Sequence, residues 1–489
     1  MPQPRADAAQ RLARRQAAFL TILIGFVLYF YGLDRVGMLG PDEPRYASIG
    51  REMARSGDWV TPRLWGEPWF EKPALVYWLA GIGFKLGLSD DLAPRVPIAL
   101  LSVAFLFFFY REVKRNFDEV AATCATAVLA TSAGWLAFSQ VGVTDLPLAA
   151  TFAACVLALL RPDIGREIAA GILFGLALLA KGLVPAVLLA PVIVWLLFER
   201  RWRAIAVLLP VGIATAAPWY VLCTMRNGRA FIDEFFWKHH FQRFATDALQ
   251  HQQPVWFYLP VLVAGLFPWS VLVGLIPGRS IVKDNRLVLF TGVVLFGFVF
   301  FSVSVNKLPG YLLPLLPFAA ALIGVRMAEA RRLGWWLVVV AVGLAAYPWV
   351  GDILPRALVE GLSRARPTGN YGFAVFPAAL LAWQCWRLEQ QGRRVLAVII
   401  ILLFTTGCVV YLKAMVLPRI DSAASARSVW RRVAPVAQFV CVEDDVSRTW
   451  IYGLNYYSPQ PFPHCPGLPV RLVAGPNGRP VVVQSEIIR

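Results

Sequence analysis

Charge is scarce in this chain: 16% of its 489 residues are Asp, Glu, Lys or Arg, against 58% hydrophobic. A water-soluble fold of that length needs far more polar surface, so a soluble enzyme is excluded at the outset. Cysteine and histidine show no metal-type spacing, which gives no support to a zinc site. Gly81 and Gly83 form no phosphate-binding loop and Lys181-Gly182 lacks the Walker pattern, so nucleotide binding has no support either. The internal repeat that marks many transporters is also missing. Finally, no small-residue cleavage site follows the first apolar run, Ala17 to Leu33, which reads as an uncleaved signal-anchor with Arg11, Arg14 and Arg15 inside.

What the chain does have is apolar runs of helix-spanning length, recurring from Phe19 almost to Leu417. The formal charge of +17 is not one patch of the kind that binds nucleic acid. Its basic residues sit in short loops between apolar runs, at Arg111 to Arg115, Arg161 to Arg166, Arg200 to Arg203, Arg279 to Arg286, Arg326 to Arg332 and Arg387 to Arg394. The positive-inside rule puts these in the cytoplasm. The remaining positive charge lies in longer loops, where anionic lipid head groups or phosphate substrates are its natural partners. Parity fails only if Ala74 to Leu88 spans, and that segment is short and interrupted by Lys85; it is expected to lie at or dip into the outer interface.

The expected architecture is therefore an all-α polytopic membrane protein of about thirteen spans, N-terminus in and C-terminus out, with a transmembrane domain over 1–417. The outer face receives the long loop 34–94, a turn at Asp145, the loop Arg226 to Pro254, and the turn Asn306 to Tyr311. The tail 418–489, with β-like runs at Phe439 to Val442 and Val481 to Val483, is expected to form a small outer α/β domain. Cys441 and Cys465 lie in that tail and could form a disulfide outside the cytoplasm; Cys124, Cys155, Cys223, Cys385 and Cys408 read as small buried hydrophobes.

Residues fit for chemistry collect in the first outer loop. Gly40-Pro41-Asp42-Glu43-Pro44-Arg45-Tyr46 leads into an amphipathic helix with Tyr46, Ile49 and Met53 on one face, stopping at Ser56-Gly57. Pro68-Trp69-Phe70-Glu71-Lys72-Pro73 follows. Acids beside a bilayer are costly unless paired or used. The plain alternatives are a helix N-cap for Asp42 and an exposed neighbouring pair for Glu71-Lys72. For Asp145 and Lys181, at helix ends, a structural ion pair or snorkelling is favoured over catalysis.

Pro41-Asp42-Glu43-Pro44-Arg45-Tyr46-Ala47, with Ser56-Gly57-Asp58-Trp59-Val60-Thr61-Pro62, resembles the first loop of the aminoarabinose transferase and protein O-mannosyltransferase superfamily. Phe70-Glu71-Lys72-Pro73, Thr144-Asp145-Leu146-Pro147, Ala180-Lys181-Gly182, His239 to Phe244 with Gln250 to Pro254, and Lys307-Leu308-Pro309-Gly310-Tyr311 resemble later blocks, in order. The closer resemblance is to bacterial lipid A aminoarabinose transferases; the tail after Leu417 is similar to nothing recognised.

That resemblance implies the membrane-embedded GT-C fold and transfer of a sugar from an undecaprenyl (polyprenyl) phosphate donor to lipid A or another phosphoglycolipid, at the periplasmic face of a bacterial inner membrane. It implies Asp42 and Glu71 as the catalytic acids, and Arg45, Lys72, Arg243, Lys307 and Tyr311 as the donor-phosphate site. Glu43, Asp145, Lys181 and His240 are assigned supporting roles. Fixed cations are what a phosphate leaving group requires. No cofactor is expected. A divalent metal held by Glu71 with His239 or His240 is disfavoured, since two adjacent helical histidines do not easily chelate one ion. Two other functions stay open: transfer to Ser/Thr of a protein, and transport of the lipid-linked sugar without chemistry.

Overall fold

In lipid every backbone polar group must find its partner inside the protein, and a chain this apolar meets that demand with helices. The computed structural model describes residues 20–242, 253–361, 364–465, 470–475 and 478–484. It begins with α1 (Leu20–Tyr29), α2 (Asp42–Ser56), α3 (Leu75–Lys85), α4 (Val96–Asn116), α5 (Glu119–Thr131), α6 (Ala133–Phe138), α7 (Asp145–Ala158) and α8 (Ile164–Lys181). Six described helices are long and apolar enough to cross a membrane, and six apolar helices of 10–17 residues accompany them. The chain is a multi-pass membrane protein.

Small residues let these helices approach closely, the packing that lipid favours. Gly171 and Gly175 of α8 abut Val211 and Thr215 of the helix Trp202–Phe231, and Gly212 of that helix receives the Phe174 ring. Gly324 of Leu316–Glu329 lies against Ala125 of α5. A Cβ at any of these glycines would collide.

Helix direction sorts the loops into two ends. At one end Arg166 pairs with Glu112, Arg201 bonds the Leu159 and Arg161 carbonyls, and Arg286 bonds the Asn116 carbonyl. These are the basic loops of the sequence, gathered together. Arg95 begins α4, Asp145 begins α7 and Lys181 ends α8, so all three lie at the opposite end. Lys307 and Tyr311 follow Asn285–Val303, whose start is at the basic end, and they join them. Arg226 reaches Asp58 across 2.8 Å, bringing the end of its long helix to the same side.

The first loop is built on that far end. α2 buries Tyr46, Ile49 and Met53 and stops at Gly57 in a left-handed C-cap. Arg63–Leu64 (β1) and Glu67–Pro68 (β2) form a hairpin around Trp65-Gly66. α3 is 11 residues, about 16 Å, and too short to cross a core of about 30 Å alone.

After Leu417 the chain forms a three-stranded sheet, β3 (Val440–Val442), β4 (Val470–Ala474) and β5 (Pro480–Gln484), in the order β3-β4-β5. β3 and β4 are parallel, β4 and β5 antiparallel. Trp450 and Leu454 of the helix Arg448–Tyr457 pack with Val429 and Val433 of Ala426–Val433 against this sheet. Cys441 and Cys465 are joined by a disulfide. The unit docks on the first loop: Arg427 pairs with Asp91, Tyr457 donates to Asp91 (2.6 Å), and Arg51 donates to the Tyr456 carbonyl (2.7 Å).

Candidate active site

Asp42, Arg45, Glu71 and Lys72 meet in one ion-paired group. α2 places Asp42 and Arg45 one turn apart, where they pair directly. The plain alternative for Asp42, an N-cap, is not what forms: Pro41 holds that position and no side chain caps the helix. Glu71 bridges the two cations, its Oε2 2.8 Å from Arg45 Nη1 and its Oε1 2.9 Å from Lys72 Nζ. Nor are Glu71 and Lys72 an exposed pair, since their side chains are 10% and 13% accessible. Asp42 at 43% is the open member. The two acids thus differ in kind: Glu71 fixes the cations with both oxygens, while Asp42 faces whatever arrives.

Burial works against the Arg45 charge, but Glu71, with Asp42, outweighs it and holds the guanidinium protonated. Burial, aided by the Asp42 and Glu71 carboxylates, raises the Tyr46 phenol well above its ordinary range, so it stays a neutral donor.

A second group adjoins the first through Phe138, which packs against the cluster that holds Tyr46 and Tyr77 and also lies against Gly310. Here Lys181 Nζ sits 2.7 Å from Asp145 Oδ1 and 4.8 Å from the centre of the Tyr311 ring. Gly310 is required, because the Asp145 carboxylate and the Phe138 ring occupy the space a Cβ would need. The favoured ion pair for Asp145 and Lys181 is observed.

Two of the assigned residues spend their charge within the protein. Glu43 is 1% exposed and bound by Arg95 through Nε (2.6 Å) and Nη2 (2.8 Å), while also accepting from the Leu39 and Gly142 amides. It braces the loop instead of facing a substrate. Lys307 spends its ammonium on the carbonyls of Ser304 (2.6 Å) and Gln253 (3.0 Å). Beside these anchors an apolar groove of about 430 Å³ is lined by Val255, Trp256, Leu259, Phe298, Val299 and Val303. The Arg243 assignment lies outside the described residues, as do the His239 and His240 side chains. Among the described residues no three His, Cys, Asp or Glu side chains gather as a metal site would need.

Sequence reasoning missed Arg95 and the tail's Tyr452, whose ring lies 5.0 Å from the Arg45 guanidinium. Arg95 had a signal: a lone arginine opening an apolar run at the outer end runs against the charge rule and calls for a partner. Tyr452 had none.

Known proteins agree with the resemblance read from the motifs. Residues 71–224 match the dolichyl-phosphate-mannose-protein mannosyltransferase family. The undecaprenyl phosphate-alpha-4-amino-4-deoxy-L-arabinose arabinosyl transferase of Edwardsiella ictaluri is 33% identical over 325 residues, 62% of this chain and 58% of the relative. That of Pseudomonas aeruginosa (strain UCBPP-PA14) is 32% identical over 348 residues, 66% of this chain and 62% of the relative. The matched stretch therefore spans less than two thirds of these relatives. The crystal structure of ArnT from Cupriavidus metallidurans bound to undecaprenyl phosphate superposes with a TM-score of 0.74, at 24% identity, covering 91% of this chain and 85% of that one. The fold is shared.

Proposed function

We propose that this chain is a GT-C glycosyltransferase of the aminoarabinose transferase type, moving a sugar from undecaprenyl phosphate to a phosphate of lipid A. The observation that carries this reading is the group of Asp42, Arg45, Glu71 and Lys72, with two cations clamped by one acid and a second acid left open. In the reaction the donor's C1–O bond to phosphate breaks and a bond from C1 to the acceptor oxygen forms. Negative charge grows on the departing phosphate, where Arg45 can bind two oxygens and Lys72 supplies a point charge. The four side chains sum to no net charge, so an incoming phosphate competes with Asp42 for Arg45. Asp42, released, is then free to hold an ammonium on the sugar or to stabilise positive charge at C1. A phosphate acceptor is already anionic and needs no base. The apolar groove beside the Lys307 anchors suits an isoprenoid tail.

The site belongs on the periplasmic side of the inner membrane on this reading, with the N-terminus cytoplasmic. The clustering of basic loops at the other end supports that orientation. So does the Cys441–Cys465 disulfide, which persists in an oxidising compartment. No metal or other cofactor is required, because the protein's own cations meet the leaving group.

The mannosyltransferase family match favours one further reading, transfer to a Ser/Thr hydroxyl, in which Asp42 would take the acceptor's proton. Reconstitution with labelled undecaprenyl-phosphate aminoarabinose, lipid A and a Ser/Thr peptide tests both. Label in lipid A supports the proposal and label in peptide the second reading. Label crossing the bilayer still attached to its carrier would overturn both in favour of transport.

A further inference from the structure

The β1–β2 hairpin turns on Trp65-Gly66, with φ of 56° and 88°. A two-residue turn with both φ positive is normally given to Asn-Gly or Asp-Gly, because a bulky side chain is strained there. Such outliers persist where the surroundings hold them for a purpose. Trp65 lies against Tyr452, ring centres 5.7 Å apart. Tyr452 in turn faces the Arg45 guanidinium at 5.0 Å, and Trp69 faces the same guanidinium at 5.6 Å. The indole Nε1 of Trp65 and that of Trp69 are both buried with no hydrogen-bond partner among the described residues. Buried donors are rarely left unmet. One of these donors is on an indole that faces the arginine of the ion-paired group and the other on an indole packed against Tyr452, so both call for oxygen acceptors at one aromatic cluster.

We propose that Trp65, Trp69 and Tyr452 form a subsite for a pyranose ring, with Tyr452 supplied by the unit that follows the membrane helices. A sugar offers what the cluster lacks: hydroxyl oxygens for the two indole N–H groups and a C–H face for the aromatic rings. This deepens the glycosyltransferase reading and rests on it for the identity of the sugar, which belongs either to the donor or to the acceptor. The C-terminal unit then has a function as part of the site, since its docking contacts at Asp90 and Asp91 fix where Tyr452 stands.

The test is equilibrium binding by the full-length protein in detergent, with labelled undecaprenyl-phosphate aminoarabinose in one arm and a phosphorylated glucosamine disaccharide in the other. Tyr452→Ala is expected to weaken one arm about tenfold, and Tyr452→Phe, which keeps the ring, to recover most of it. Trp65→Phe keeps an aromatic ring against Tyr452 while removing the indole N–H with part of the bicycle, and is expected to weaken the same arm several-fold. The arm that weakens identifies the ring. If folded Tyr452→Ala and Trp65→Phe bind both ligands like wild type, the subsite is refuted while the enzyme reading stands. A wild type that binds neither ligand also overturns it. A wild type whose sugar binding depends on these residues but which transfers nothing would retain the subsite and sink the enzyme reading.

Discussion

Glu43 and Asp42 are neighbours in one motif, and the structure gives them opposite duties that Glu43→Gln separates. Glu43 accepts from Arg95 Nε at 2.6 Å and Nη2 at 2.8 Å, and from the Leu39 and Gly142 amides at 3.2 and 3.1 Å. Arg95 gives its remaining donors to the carbonyls of Leu33, Val36 and Gly37. Both side chains are 1% exposed. Gln keeps the shape and one acceptor oxygen, but it leaves the guanidinium charge buried without a counter-charge and sets an amide N–H₂ against other donors. Removing one partner of such a pair costs about 3–5 kcal/mol, which multiplies the unfolded population between roughly a hundredfold and several thousandfold. The assay is a denaturation midpoint in detergent, read beside the activity of the fraction that remains folded. Glu43→Gln should fall sharply in stability while its folded fraction still transfers sugar. Glu43→Met with Arg95→Met should recover much of the loss, because an apolar replacement of both partners is often neutral. Wild-type stability in the single variant, or full stability with no transfer, would refute the division of labour.

Three other perturbations follow from the same geometry. Lys72→Met should lower kcat at least a hundredfold, the order lost when one fixed transition-state donor is removed, with little change in monodispersity; a normal kcat would exclude Lys72 from the phosphate site. Gly310→Ala should drive a methyl into the Asp145 carboxylate and the Phe138 ring, costing about 1–3 kcal/mol by overpacking in a denaturation series; an unchanged midpoint would contradict the packing. Excess EDTA should leave initial transfer rates within twofold, since Arg45 and Lys72 take the charge a metal would; loss restored by a divalent ion would show that a metal is needed.

Much of the fold was legible because the bilayer simplifies the problem. Apolar runs announced the helices, and loop charge sorted them into two ends without any tertiary knowledge. α2 was legible in the burial of Tyr46, Ile49 and Met53 and the Gly57 stop. Of the site, Asp42, Arg45, Glu71 and Lys72 were named by motif, yet their grouping through Glu71 was not, because residues 26 positions apart along the chain reveal no contact until the loop folds. Glu43 was assigned beside Asp42 for the same reason: adjacency along a helix puts two side chains on different faces, and only the buried Arg95 shows which one faces inward. The tail yielded two of its three strands; β4 (Val470–Ala474) was missed, since Pro466 to Leu468 and the glycines around it obscure a short run. Tyr452 could not be read at all, as a tyrosine in a short amphipathic helix carries no mark of the loop it covers.

The most direct measurement is single-turnover transfer of labelled aminoarabinose from undecaprenyl phosphate to lipid A by purified wild type and by Asp42→Asn in matched vesicles. Wild type should move the label, and Asp42→Asn, folded and still binding the donor, should move none. Near-wild-type turnover by Asp42→Asn would contradict the assignment of a catalytic role to the open acid.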